Sequence, residues 1–124
     1  MSMFKMLLSI HPEYADKILS GEKKFEFRKV RCRQDVNKIV IYVTSPVMKI
    51  VGEAEVLDII EDEPEIVWEK TKSHAGVSRE FYDNYYKGKE KAIAYKLGHV
   101  SKYETTVSLS DFGIRSVPQS FVYL

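Results

Sequence analysis

Gly21 separates two incompatible hydrophobic periodicities, and that junction restricts what the chain can fold into. On its N-terminal side, Pro12 suits the first position of a helix, and Ala15, Ile18 and Leu19 fall on one apolar stripe. On its C-terminal side, Lys23–Lys29 alternates: Phe25 and Phe27 point one way, Lys24, Glu26 and Arg28 the other. A glycine lets a helix end and the backbone turn straight into a strand. Upstream, Phe4–Ile10 is a largely apolar run that predicts a strand buried on both sides. Strand, short helix and strand thus follow one another with almost no connecting loop.

The remaining segments do not build a βαβ repeat. Arg31–Asn37 is a polar connection, and Lys38–Val43 is a β-branched strand that stops at Thr44-Ser45-Pro46. Met48–Ile60 predicts a long strand interrupted by Gly52, as at a bulge or a close backbone approach. Pro64 opens a helix carrying Ile66, Val67 and Trp68 that ends near Gly76. Ser78 suits the cap of a further helix, with Val77 and Tyr82 as its hydrophobic staple and Gly88 at its end. Ala92–Leu97, Tyr103–Leu109 and Phe121–Leu124 are extended pieces. The expectation is an α+β fold over residues 1–124 as a single domain. It is a small β-barrel, closed so as to remove sheet edges, with one early helix and two middle helices around it.

Composition narrows the function classes. The 124 residues suffice for one domain with a real core, and 44% of them are hydrophobic, which excludes a disordered chain. No apolar run reaches the ~20 residues needed to span a bilayer, and Lys5 breaks the only N-terminal stretch resembling a leader. Cys32 is the sole cysteine, so the expectation is a reducing, cytoplasmic compartment. A formal net charge of +1 argues against wrapping a long duplex. Charge is nevertheless uneven. Lys23, Lys24, Arg28, Lys29, Arg31 and Arg33 crowd one stretch, while Asp58, Glu61, Asp62, Glu63, Glu65 and Glu69 form another without a base among them. Either is a solvated face or a contact surface, the acidic one for a basic protein partner.

The segment Gly21–Arg28 carries the strongest chemical signal. Glu26 and Arg28 are two apart on one strand face, roughly 6–7 Å along it, with Lys23 at the strand's mouth. A carboxylate, a guanidinium and an ammonium on rigid backbone can read a phosphate, a ribose hydroxyl or a base edge. An exposed strand face with a Glu/Arg pair explains the same spacing. Thr44 and Ser45 end a central strand, where hydroxyls and free amides meet ligands or simply make a turn. Tyr85 and Tyr86, beside Lys87, Lys89 and Lys91, either stack a base while the lysines hold phosphates or pack a helix onto the barrel. His11, His74 and His99 lack metal-ligand spacing, so neither metal nor cofactor is expected. Cations flank Cys32 and favour its thiolate, but no partner base is apparent. A Walker A loop and a nucleophile elbow are absent from the sequence.

His11-Pro12-Glu13-Tyr14-Ala15, Ile18-Leu19-Ser20-Gly21 and the Gly-x-Lys-x-x-Glu-x-Arg pattern over Gly21–Arg28 together resemble the opening of an ASCH domain. Tyr42–Pro46 followed by Gly52, and Pro118-Gln119-Ser120-Phe121, extend the resemblance to small bacterial members across nearly the whole chain. It implies a PUA-like barrel with Lys23, Glu26 and Arg28 at a cleft that holds RNA or a nucleoside. Some relatives deacylate 4-acetylcytidine with a Lys, a Thr and a Glu. Lys23 matches that lysine, but Glu26 stands where the nucleophilic threonine would be, and a carboxylate cannot replace an activated hydroxyl. Ser9, Thr44 or Ser45 would have to supply one instead. The leading expectation is therefore a noncatalytic module binding single-stranded or structured RNA, or a nucleotide-like molecule, with a regulatory role as what the resemblance suggests. It uses Lys23, Glu26, Arg28, Thr44, Ser45 and Tyr85. A modified-nucleoside hydrolase and a protein-interaction domain are the alternatives. Lys23 and Arg28 are expected to be exposed.

Overall fold

Successive residues of β1 (Phe4–Ile10) enter two different cores: Met6, Leu8 and Ile10 face one and Leu7 the other. This is the two-sided burial expected of so apolar a run. The computed structural model describes residues 4–33, 35–118 and 121–124. β1 is followed by α1 (Pro12–Ser20), β2 (Phe25–Arg28), β3 (Val36–Val43), β4 (Lys49–Asp62), α2 (Pro64–Thr71), α3 (Arg79–Tyr85), β5 (Ala92–Val107) and β6 (Phe121–Tyr123). The expected pieces Ala92–Leu97 and Tyr103–Leu109 are one bent strand, and the helix thought to reach Gly76 ends at Thr71 in a short 3-10 turn over Lys72–His74. Gln119 and Ser120 lie outside the described residues.

The six strands form one curled sheet, a half-barrel, in the order β2-β5-β4-β3-β1-β6. Only β1 and β3 run parallel, joined through α1 and β2; the other neighbours are antiparallel. The ladder ends at β2 and β6, so the described strands keep two edges instead of the expected closed cylinder. The β2 edge is covered. Lys24 N–H donates to the His74 carbonyl, and the hydroxyls of Tyr85 and Tyr86 donate to the carbonyls of Phe27 and Arg28. Capping those groups removes a free template for strand addition.

Curl comes from irregular pairing between the two long strands. Register shifts fall between Ile50 and Gly52, Ala54 and Val56, and Val56 and Asp58. Each shift bends and twists the ladder locally. At Gly52 the neighbouring backbone comes so close that a Cβ would lie 2.5 Å from the Ser101 carbonyl oxygen. α1 packs Ala15 and Ile18 into the main core with Ile39, Ile41, Val43 and Tyr95. α2 and α3 cover β2 and β5 through Val67, Tyr82 and Tyr86 against Phe25, Phe27 and Ala94. Ser78 caps α3 as expected, its Oγ accepting from Phe81 N–H at 3.0 Å.

Gly52→Ala forces the added methyl against backbone that cannot move independently, an overpacking cost of about 1–3 kcal/mol. Urea denaturation of the variant is expected to show a lowered midpoint with an unchanged slope; an unaltered midpoint would contradict the close β4–β5 approach.

Candidate functional site

Gly21 turns the chain as the sequence predicts: its φ is +86°, and its N–H donates to the Ile18 carbonyl at the end of α1. Lys23 N–H then reaches back to the Lys17 carbonyl at 2.9 Å, which fixes the start of the segment entering β2. Lys23 is not exposed. Only 2% of it meets solvent, and its Nζ donates to the Ala75 carbonyl at 2.6 Å. Its ammonium also lies 4.8 Å from the Phe27 ring centroid and 5.6 Å from that of Tyr14. The Ala75–Gly76 loop therefore closes over the lysine. Gly76 has φ +71°, and a Cβ there would overlap the Lys23 side chain.

Arg28 is likewise drawn in. Its Nε and Nη2 both donate to Glu26 Oε2, at 3.0 and 2.7 Å, and Nη2 also donates to the Ser9 carbonyl at 2.8 Å. The same-face placement of the pair was legible from the spacing; its direct contact and its burial were not. Glu26 is buried along with Phe25 and Phe27, so β2 lacks the wet face that alternation suggested. The reason is position. β2 belongs to one margin of the curled sheet and β1 lies towards the other, and the curl brings them face to face. The Arg28 guanidinium bridges that opening.

Lys23, Glu26 and Arg28 converge on one cavity of about 630 Å³. Ser9, Ile10 and His11 from the end of β1, Tyr14 from α1, and Thr44 after β3 also line it. Val77, Phe81 and Tyr85 form an apolar and aromatic side, and Val117 and Pro118 complete the lining. Phe81 and Tyr85, four residues apart on α3, lie almost parallel at 11° with centroids 6.1 Å apart. Tyr14 packs on Phe81 at 5.4 Å. Burial first, then the Glu13 and Glu26 charges, raise the Tyr14 pKa, so its hydroxyl stays a donor at neutral pH. Thr44 Oγ1 lies 3.5 Å from His11 Nδ1, and Ser9 Oγ donates to the Pro118 carbonyl at 2.9 Å.

Two expectations need correction in detail, the exposure of Lys23 and Arg28 and the placement of Ser45. Lys23 is buried, and Arg28 is held by Glu26 and Ser9, so neither is a freely exposed contact. Ser45 is exposed and does not line the cavity, although Thr44 does. Of the two readings left open for the tyrosine pair, each residue takes one: Tyr85 joins the cavity wall, and Tyr86, 3% exposed, packs in the core under α3. Cys32, flanked by Arg31 and Arg33, is buried. Ile10, Tyr14 and Phe81 escaped the sequence reading of the site because helical or strand spacing marks them equally well as core. The Phe81/Tyr85 four-residue spacing was the one available signal. Among the described residues, no group of three His, Cys, Asp or Glu side chains is placed to hold a metal. No helix among them is long and apolar enough to cross a membrane. In the acidic stretch, Glu61 pairs with Arg31, Glu65 with Arg79 and Glu69 with Lys72.

Burial is the main cause that lowers the Lys23 pKa to about 8; Glu26 partly offsets it, while Lys17 and Arg28 add to the lowering. An unfolded lysine keeps its ordinary value of about 10.4, so between these limits the unfolded chain binds more protons than the native one. The cost of burying the charge is thus present in full below pH 8 and is relieved as pH rises. Lys23→Met removes this dependence. The stability of the native protein relative to Lys23→Met is expected to rise by about 2 kcal/mol between pH 7 and 10, read from denaturation at each pH. Tyrosine ionisation cancels in the difference. A flat difference would contradict burial of the ammonium.

The ASCH domain family model matches residues 8–101. Among curated proteins, ATP synthase subunit alpha of Ureaplasma parvum is 32% identical over 120 residues, which are 96% of this chain but 15% of that protein. An ASCH domain-containing ribonuclease of Zymomonas mobilis is 34% identical over 92 residues, 73% of this chain and 62% of that one. The chain thus spans less than two thirds of the length of these curated relatives. The crystal structure of ASCH from Zymomonas mobilis matches with a TM-score of 0.88 at 29% identity, over 97% of this chain and 87% of that one.

Proposed function

This chain belongs to the ASCH domain family, and on that premise we propose that its cleft binds one nucleotide of a single-stranded or looped RNA. The observation that carries this reading is the convergence of a fixed carboxylate, a fixed guanidinium and an aromatic wall on one hollow. At about 630 Å³ it falls in the range of small-molecule sites. A duplex presents its bases in a deep groove that side chains cannot enter, whereas an unstacked base fits a concave pocket.

The donors and acceptors suit such an occupant. Arg28 uses Nε and Nη2 within the protein, and Nη1 has no hydrogen-bond partner among the described residues. Glu26 commits Oε2 to Arg28, while Oε1 takes no hydrogen bond from a described residue. Oε1 would accept from an exocyclic amino group or a ribose hydroxyl. Nη1 and the Tyr14 hydroxyl would donate to base carbonyls or phosphate. Phe81 and Tyr85 supply the stacking surface, and Thr44 the rim hydroxyl.

A second reading is chemistry on the bound nucleoside, either hydrolysis of an acylated base or cleavage of the RNA chain. The lowered Lys23 pKa favours it, because an amine near 8 can take and return protons close to neutrality. The ribonuclease relative points the same way. Glu26 would not be the nucleophile, since Arg28 holds it; Ser9 and Thr44 are the hydroxyls that line the cleft.

Stacking is worth about 1–3 kcal/mol per base. Phe81→Ala and Tyr85→Ala are therefore each expected to weaken binding of a short unstructured RNA by about tenfold or more, with the circular dichroism spectrum retained. Unchanged affinity in both well-folded variants would remove the cleft as the binding site. Steady release of deacylated cytidine or cut RNA, abolished by Lys23→Met, would replace the binding reading with the catalytic one.

A further inference from the structure

We infer that the RNA backbone leaves the cleft on the Tyr85 side, across a cationic rim formed by Lys29, Lys87 and Lys89. This inference rests on the cleft reading above, and four observations carry it. Lys29 Nζ sits 4.5 Å from the centroid of the Tyr85 ring, so positive charge stands where the aromatic wall meets the surface. The turn after α3 is tied to the same place: the Tyr86 hydroxyl donates to the carbonyls of Arg28 and Ile93, and Lys89 N–H donates to the Tyr86 carbonyl. Lys87 and Lys89 therefore branch from a backbone anchored to the end of β2, next to Lys29.

Like Lys24, Lys91 and Lys96, these three lysines stand outside the ion pairs of the described residues, and what sets them apart is their place at the end of β2 and in the turn after α3. Lys5, Lys38, Lys72, Arg31 and Arg79 each meet a carboxylate within 4 Å, whereas Lys29, Lys87 and Lys89 form no ion pair among the described residues. All three are exposed. The acids nearest in sequence are Asp83, which Arg79 already engages, and Glu90, which lies between Lys89 and Lys91. Exposed ammonium groups carried by the elements that border a nucleotide-sized hollow suit a polyanion better than a single phosphate. With a net charge of only +1, the whole molecule supplies no such attraction, so it must be local. Beside Val117 and Pro118 the nearest described cation in sequence is Arg115, one exposed charge against three, and that asymmetry sets the direction of exit.

The test compares two probes, a nucleoside monophosphate and a ten-nucleotide unstructured RNA, on the native protein, on Lys87→Gln/Lys89→Gln, and on Phe81→Ala. Each phosphate neutralised on a single strand contributes about 0.7 to the slope of log K against log salt. The double variant is expected to lower the oligonucleotide slope by about 1.4 and its affinity at low salt by tenfold or more, while monophosphate affinity stays within twofold. Adding Lys29→Gln lowers the slope further. An unaltered slope in the double variant, with Phe81→Ala still weakening both probes, would overturn the rim and leave the cleft standing. Equal loss of both probes in the double variant would also overturn it, because the lysines would then serve the cleft itself. If neither probe binds the native protein, cleft and rim fall together.

Discussion

The Arg28 guanidinium holds the mouth of the curled sheet, and the geometry of the cleft depends on it. It rises from β2, takes the Glu26 carboxylate beside it, and reaches the Ser9 carbonyl on β1. Those strands stand far apart in the ladder, separated by β5, β4 and β3. A carboxylate with 9% side-chain exposure is costly to bury alone, and the two-pronged contact with Arg28 offsets that cost. The pair therefore does two things. It fixes the distance between the walls, and it leaves one carboxylate oxygen and one guanidinium nitrogen for an occupant. Preorganised polar groups of this kind lose little freedom when a ligand arrives.

Lys23 is the second fixed charge, and its environment is chemically different. The ammonium packs against Phe27 and Tyr14 and donates to a loop carbonyl, so burial rather than a neighbouring charge dominates its titration. The loop that covers it joins α2 to α3, and α3 also carries Phe81 and Tyr85. One connection thus positions both the cation and the stacking wall. Gly76 makes the arrangement possible, since a side chain there would overlap Lys23.

Local signals carried much of the fold. Pro12, Gly21, Ser78 and Gly52 each encode a specific backbone event, and each performs it. Lengths were harder to read: β5 continues through Gly98 because the sheet bends there, while the sequence around that glycine looks like a break. In the site, two-residue spacing placed Glu26 and Arg28 on one face but could not reveal that sheet curl would bury that face against β1. For Lys23 the decisive neighbours are Ala75 and Gly76, more than fifty residues away in sequence. Thr44 and Ser45 were indistinguishable as neighbours after a strand, and only the turn geometry sends one to the cavity and the other to solvent.

The most direct measurement is amide chemical-shift mapping of the isotope-labelled protein during titration with a short unstructured RNA. Binding in the hollow predicts saturable shifts at Ser9, His11, Glu26, Arg28, Thr44, Phe81 and Tyr85, which come from four separate segments yet line one cavity. Shifts confined to the opposite face of the sheet, around Tyr103, Val107 and Ile114, with those seven amides unmoved at saturation, would contradict the account.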